Sequence, residues 1–423
     1  MTDDFKYKNF NHYPTMTGAI KPSKNGALFS IKFDTAKDVS YSFYNFSKAF
    51  FQAADVIVTR MLDKCQIDEL DQYFFPVFFL YRHSIELFLK SIACTQITNK
   101  TDRSIFFKDT FHDPESILKY IIDNTTLSPP DDELQWLLEY FHNIANFDKA
   151  SDSFRYPYHI KKEKDLLGNQ TYIFTRVFEK QTHIDLIAEA NKMIAAYEIL
   201  ENWYNSITNN KTVSGSKEYD QCTSTFLDEG GNYYDQSVVG YEFHHDDFHA
   251  HCSGYLECAN YLKQYMIDEY ANGNLISHMF YPMCYLYRND VELLLKAIVF
   301  EFSGLPLQKR CEIVYENKHK VSKLFSFVED EIMPLYSILK SDHFIVKAKR
   351  YCEQLHNFDS DSSKFRYPVD KNCCPYQNNI RYYNFVELGV FLESLCNAID
   401  GIHGEIGQRA EYIAEMEAEY SGY

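Results

Sequence analysis

The stretch Tyr281-Pro282-Met283-Cys284-Tyr285-Leu286-Tyr287-Arg288, continuing to Glu292 and Lys296, has a counterpart in Phe75-Pro76-Val77-Phe78-Phe79-Leu80-Tyr81-Arg82, continuing to Glu86 and Lys90. In both copies the flanking positions are almost entirely apolar, so each segment reads as a helix buried around most of its circumference. Arg, Glu and Lys nevertheless recur at i, i+4 and i+8, which stacks three charges along one stripe. Unpaired charge in such a place costs several kcal/mol, roughly 3–5 for a broken buried pair, so each stripe demands partners from elsewhere in the chain. A fold for this sequence has to bury two such helices and answer both stripes.

Other shared residues appear in the same order after each helix. They are His112 and His319, Asn146 and Asn357, Asp148 and Asp359, and the loops Phe154-Arg155-Tyr156-Pro157 and Phe365-Arg366-Tyr367-Pro368. The offset drifts smoothly from 206 at the central helix to 207 at the His and 211 at the two later motifs. Insertions confined to loops produce such a drift, which points to a tandem duplication of whole domains.

The pass along the chain predicts an all-α protein: two tandem homologous helical bundles packed as a pseudo-dimer, with minor β hairpins in loops. Residues 1–35 read as a loop segment with a short strand pair near Ala27 to Phe33. The first copy spans 36–207, a polar linker 208–240, the second copy 241–404, and an acidic tail 405–423, either an appended helix or a frayed end. Within the first copy a hairpin is expected around Gly168-Asn169. The segment Asn99 to Phe111 reads only as polar.

An aromatic content of 17% suits large helix-packing surfaces. A formal net charge of −18 argues against the whole molecule as a nonspecific nucleic-acid binder and leaves room for a local basic groove. The polar, acidic N-terminal stretch has no apolar signal core, and no run of about 18 apolar residues follows. The expectation is a cytoplasmic protein without a membrane span. The 11 cysteines mostly fall in apolar helical stretches and read as reduced, buried thiols. Cys373-Cys374 is a vicinal pair in a turn-like segment with no CxxC partner.

Two assignments are open for Arg82, Glu86, Lys90, His112, Asp148, Arg155 and for Arg288, Glu292, Lys296, His319, Asp359, Arg366. In one they form a satisfied polar network: Glu86 takes Arg82 or Lys90, Asp148 takes Arg155 or Lys90, and the His fixes a helix start. In the other the Arg and Lys residues form twin anion sites, since guanidinium forks match phosphate oxygens.

The segments Tyr-Arg-His-Ser-Ile-Glu-Leu-Phe-Leu-Lys (81–90) and Tyr-Arg-Asn-Asp-Val-Glu-Leu-Leu-Leu-Lys (287–296), the downstream His and the Asp before Phe-Arg-Tyr-Pro resemble HEPN-type helical domains of prokaryotic defence and toxin–antitoxin proteins. The resemblance implies a bundle of about four or five helices per unit, RNA-related roles and paired units. It also implies a metal-free ribonuclease centre in which a His works as acid and base while an Arg, a short interval before it, stabilises the developing phosphorane charge. Arg350 and His356, with five residues between them, have that spacing. Their first-copy counterparts are Glu139 and Ala145, and Tyr351 follows the Arg where the family has a polar residue.

His244-His245-Asp246-Asp247-Phe248-His249-Ala250-His251-Cys252 sets His245/His249 and Asp247/His251 at i, i+4, a spacing that lets two side chains share a metal. It equally suits a solvated helix start, and no further ligands are assignable, so no metal or other cofactor is called for. No Gly-rich phosphate loop, nucleophile elbow or dinucleotide fingerprint is present. The expected function is an RNA-associated, HEPN-like protein of a bacterial defence or stress system, with a metal-independent ribonuclease centre at Arg350 and His356. The expected partners are RNA and a partner protein or second copy, with no membrane and no DNA sequence-reading motif. The alternatives are a non-catalytic scaffold or regulator and a nucleotide or anion receptor.

Overall fold

The computed structural model describes residues 16–24, 27–33, 38–64, 67–125, 127, 129–165, 167–178, 183–209, 212–213, 215, 217–231, 237–240, 248–272, 279–376 and 379–421. The architecture is all-α with a few short antiparallel strand pairs. The first half contains α1 (Val39–Lys64), α2 (Ile67–Gln96), α3 (Lys100–Thr110), α4 (Pro114–Asn124), α5 (Asp131–Asp148) and α6 (Leu186–Thr208). The second contains α7 (His249–Ala271), α8 (Phe280–Phe302), α9 (Leu307–Asn317), α10 (Val321–Phe327), α11 (His343–Phe358) and α12 (Phe385–Ser421). Among the described residues no helix is long and apolar enough to cross a membrane.

The stripe helices α2 and α8 lie at the centre. From Tyr73 to Cys94, and from Pro282 to Val299 of α8, nearly every side chain is buried, as the apolar flanks require. Each large apolar side chain so placed is worth roughly 1.5–3 kcal/mol of transfer free energy. Phe79 of α2 stacks on Tyr285 of α8, with ring centroids 4.6 Å apart. These two occupy corresponding positions of the two stretches, and like meeting like is what two-fold pairing produces at its axis. Around them Phe46 meets Tyr281 at 4.2 Å and Phe75 stacks on His251 at 3.8 Å, so one continuous core runs through both halves.

The strands tie the halves further. The hairpin of β2 (Tyr158–Lys164) and β3 (Gln170–Arg176) forms where Gly168 supplies the positive φ its turn needs. The strand β1 (Ser30–Phe33) pairs with β6 (Arg381–Asn384), ahead of α12, rather than with a neighbour inside the N-terminal segment. Reciprocally β5 (Val238–Val239), just before the second half, pairs with β4 (Ile184–Asp185), ahead of α6. The N-terminal segment accordingly rests on the second half, with Lys347 donating to the Met16 carbonyl at 2.6 Å and Tyr351 to that of Gly18 at 2.9 Å.

Three other expectations are sharpened. The polar segment after α2 is the helix α3, opened by the Asn99 side chain accepting from the Thr101 amide and held by buried Phe106 and Phe107. The connection between the halves packs on the first half, where Trp136 donates to the Cys222 carbonyl at 3.0 Å and Leu227 is buried. The acidic tail continues α12 as helix to Ser421.

Candidate functional site

Each stripe is answered within its helix and from the opposite half. In α2 the Lys90 ammonium donates to Glu86 Oε1 at 2.6 Å, and the Arg82 guanidinium lies 3.6 Å from Glu86 Oε2. In α8 Lys296 donates to Glu292 Oε1 at 2.7 Å and Arg288 to Oε2 at 3.1 Å. His112 Nδ1 stands 3.0 Å from Glu86 Oε1, and His319 Nδ1 3.0 Å from Glu292 Oε1. The last partner comes from across the axis. Tyr367 donates to Glu86 Oε1 at 2.9 Å, and Tyr156 donates to Glu292 Oε1 at 2.6 Å. The two Phe-Arg-Tyr-Pro loops are therefore exchanged, each completing the network of the other half.

The loops are held in place by the Asp that precedes them. Asp148 Oδ1 accepts from the Asp152 and Ser153 amides at 2.8 and 2.9 Å, and Asp359 Oδ1 accepts from the Ser363 and Lys364 amides at 3.0 and 3.1 Å. This is the Asx-type local bonding that shapes a turn. It differs from the expected pairing of Asp148 with Arg155 or Lys90, because an Asp at the end of α5 faces unbonded amides of the next turn. Asp148 also stands 3.9 Å from Arg82. Neither His acts through its side chain as a helix cap: Asp113 caps α4, while His112 turns its ring to Glu86. Asn146 and Asn357 are exposed.

Burial raises the Glu86 carboxyl, but Lys90 and His112 hold it well below the usual carboxylate range, and Lys296 and His319 do the same for Glu292. Both are ionised near neutrality. A carboxylate only accepts, so each His presents Nδ1–H to its Glu and leaves Nε2 as the basic nitrogen. Among the described residues neither Nε2 has a hydrogen-bond partner. Burial keeps His319 below the usual His range in spite of Glu292.

Both rings border a cleft of about 450 Å³ on the axis between the halves. Its wall includes Asp152, Arg155, Tyr156, Lys296, exposed Lys318 and Arg366, with Phe111, Tyr158, Phe248, Phe300 and Tyr315 as apolar surface. A second cleft of about 400 Å³ adjoins it at Phe111 and His112 and carries Lys90, Lys108, Tyr367 and Lys371.

The two loop arginines differ. Arg155 donates to Asp152 at 3.0 Å, to the Tyr156 hydroxyl at 2.8 Å and to Asn289 Oδ1 at 3.4 Å. Arg366 is only 5% exposed and donates through Nε to the Ser362 carbonyl at 2.6 Å. Among the described residues no carboxylate lies within ion-pair distance of its guanidinium, because the position matching Asp152 is Ser363. The Asp152 carboxyl is raised by burial and pulled down more strongly by Arg155, then His319, His112 and Arg366, leaving it below its usual range. One carboxylate thus sits among two arginines and two histidines.

Arg350 and His356 lie elsewhere. Arg350 is exposed on α11, and His356 is half-buried with Nδ1 unbonded near Arg288 and Asp359. Six positions on a helix separate side chains by ~9 Å along the axis and ~120° around it, so the two look in different directions. Neither lines either cleft. Of the histidine cluster, positions 244–247 lie outside the described residues, His249 is exposed and His251 is buried against Phe75. Among the described residues no group of three or more His, Cys, Asp or Glu side chains is placed to hold a metal. Cys373 is buried and Cys374 exposed, both as free thiols.

Sequence reading missed the exchange of Tyr156 and Tyr367 between halves. The matching Phe-Arg-Tyr-Pro loops were the available signal, since a repeated Tyr beside a repeated Arg asks for a repeated acceptor. Comparison with known proteins finds no matching family model, no matching curated protein and no matching solved structure.

Proposed function

We propose that this chain binds a phosphate-bearing ligand, RNA in the first instance, in the axial cleft between its halves. The observation that carries this reading is Arg366: a buried guanidinium on the cleft wall with no carboxylate partner among the described residues. Burying such a charge is costly unless something pairs with it, and a phosphate oxygen is the partner a guanidinium fork fits best. Lys318 adds a second cation on the wall, and the His112 and His319 Nε2 atoms supply acceptor positions. The resemblance to HEPN-type domains makes RNA the first ligand to test. The same two histidines, held by Glu86 and Glu292 on the border of one cleft, are assigned in this proposal as the acid and base of a metal-free phosphodiester cleavage. In the proposal they take the roles that the resemblance to HEPN-type domains gave to Arg350 and His356.

A purely architectural role is favoured by a different observation: Arg82, Lys90, Arg288 and Lys296 are all engaged with Glu86 or Glu292 inside the protein. Fluorescence anisotropy with a labelled single-stranded RNA and with a nucleoside monophosphate separates the two. With EDTA present and cleavage scored on the same samples, the wild type should bind, and Arg366→Ala should bind about tenfold or more weakly, the loss of one charge-assisted hydrogen bond. Arg350→Ala should leave binding unchanged. Absence of binding by a folded wild type would move the assignment to the scaffold, and loss of cleavage in Arg350→Ala alone would return it to α11.

A further inference from the structure

We propose that the second half holds a separate binding pocket for a small organic cation, an amine or amidine with an apolar body, seated between α7, α8 and α12 with its charged head on Asp290. The pocket is a cleft of about 390 Å³. Phe248, Leu256, Leu294 and Ala297 form its apolar wall, and Asp290, Glu301 and Asp400 bring three carboxyl groups to it. No lysine or arginine lines it.

Asp290 distinguishes this cleft from an ordinary acidic patch. It is fully buried at the cleft floor, and neither carboxyl oxygen has a hydrogen-bond partner among the described residues. The neighbouring Cys396 thiol, a weak donor that pulls the Asp290 carboxyl down, donates to the Tyr287 carbonyl at 3.4 Å. A buried carboxyl without partners is costly, and here the unmet hydrogen-bonding capacity borders a space without lysine or arginine, whose His403 is already engaged with Glu301 at 2.6 Å. A ligand that brings an N–H-bearing cation would satisfy both oxygens at once. The absence of a three-ligand metal group among the described residues favours an organic cation over a metal ion.

The other half shows how the space arises. The N-caps Asp185 and Asn384 put α6 and α12 in register, each cap accepting from the second and third amides after it. In the first half the corresponding region is filled with rings: Tyr44 stacks on Tyr204 at 4.8 Å, Phe51 on Tyr197 at 3.8 Å, and Phe88 meets both tyrosines. In the second half these five positions carry His249, His403, Leu256, Cys396 and Leu294, and the Ser84 position carries Asp290. Smaller side chains open the volume and one substitution puts an acid at its base. A core that only needed filling would gain nothing from this set, since a cavity costs about 24 cal/mol per Å³.

Asp290 is raised well above the usual carboxyl range, chiefly by burial, with Asp400 adding to it. The titratable groups around it are Cys396, Asp400 and His403 on α12, His249 and Cys252 on α7, and Glu301 on its own helix. A cation arriving at the head would ionise Asp290 and release its proton to solvent.

The test is calorimetric titration of the full chain with benzamidine and phenethylamine, with neutral benzamide as control, in two buffers of different ionisation enthalpy. The expected result is saturable binding of at least one cation, proton release between the buffers and no binding of benzamide. Asp290→Asn, which keeps shape and removes the charge, should weaken binding at least tenfold while its circular dichroism stays that of the wild type. Leu294→Phe, which restores the first-half ring, should also abolish it. Equal affinity in Asp290→Asn, equal binding of benzamide, or no binding of either cation would overturn the proposal. Binding of Mg2+ or Mn2+ in their place, lost in Asp290→Asn, would overturn it in favour of a metal site.

Discussion

The Tyr367 hydroxyl donates to the Glu86 carboxylate at 2.9 Å across 281 positions of sequence, and Tyr156 makes the same bond to Glu292 at 2.6 Å in the opposite sense. Each half therefore has an ion network that is incomplete without the other. Cutting the chain between the halves would leave each Glu short of a donor and each loop Tyr short of an acceptor.

Tyr367→Phe and Tyr156→Phe remove one hydrogen bond to a charged acceptor each and keep the ring. Each should destabilise by about 1.5–3 kcal/mol. Urea denaturation checks this, and a double-mutant cycle of Tyr367→Phe with Glu86→Gln should show coupling of about 1 kcal/mol or more, since the two groups touch.

Arg155 and Arg366 should part company in stability. Arg155→Ala takes from Asp152 its ion-pair partner and removes bonds to Tyr156 and Asn289, so a loss of about 1–3 kcal/mol is expected. Arg366→Ala leaves no carboxylate unpaired among the described residues, and thermal melts should place it well above Arg155→Ala.

Acidification should unfold the protein early through its buried histidines. Burial lowers His83 to about 4 and His251 to about 3, so both stay neutral in the fold while the unfolded chain takes up protons below about 6.5. More protons bound in the unfolded state means that stability is present above pH 6.5 and is lost as pH falls from there toward 4. For His83 the loss amounts to about 3 kcal/mol over that window. His251→Phe should flatten the decline measured by denaturant midpoints between pH 7 and 4.

Asp290 should act in the opposite direction. Its folded form keeps a proton that the unfolded chain gives up above about 3.9, so its contribution to stability shrinks as pH rises from there. Asp290→Asn should then raise the melting temperature at pH 7 more than at pH 4.

Gly254→Ala should be strongly destabilising. An added Cβ would collide with the backbone carbonyl of Gln72, where α7 crosses α2, and backbone cannot swing aside as a side-chain end can. Overpacking of this kind costs about 1–3 kcal/mol, and a fall in melting temperature without change in the circular dichroism of the surviving fold would register it.

Periodicity carried the helices because burial on most faces writes apolar residues at nearly every position of α2 and α8. The stripes were legible for the same reason: three charges at i, i+4 and i+8 in such surroundings have no other explanation than a common face. The hairpin at Gly168 was legible because one residue type suits its φ. The helix α3 escaped because its apolar residues are the short run Ile105, Phe106 and Phe107, too few to show a helical period, and a cap at Asn99 looks the same as a loop residue. Arg350 and His356 match a spacing, which fixes distance along the chain, while the cleft walls are decided by how the helices pack, and neither residue lines either cleft.

What sequence alone determined, then, was which residues need partners: the two stripes, the two histidines and the two loops. Which partner each obtained was decided by the packing of one half on the other. Stacking Phe79 on Tyr285 at the axis brings each loop nearer to the opposite Glu than to its own, and strands β1 and β5 follow the same exchange. Local propensity contains no term for that choice, because it depends on contacts between residues hundreds of positions apart. The same holds for the place of Arg366 on the cleft wall and for the cleft beside Asp290, which exist only where segments from different parts of the chain meet.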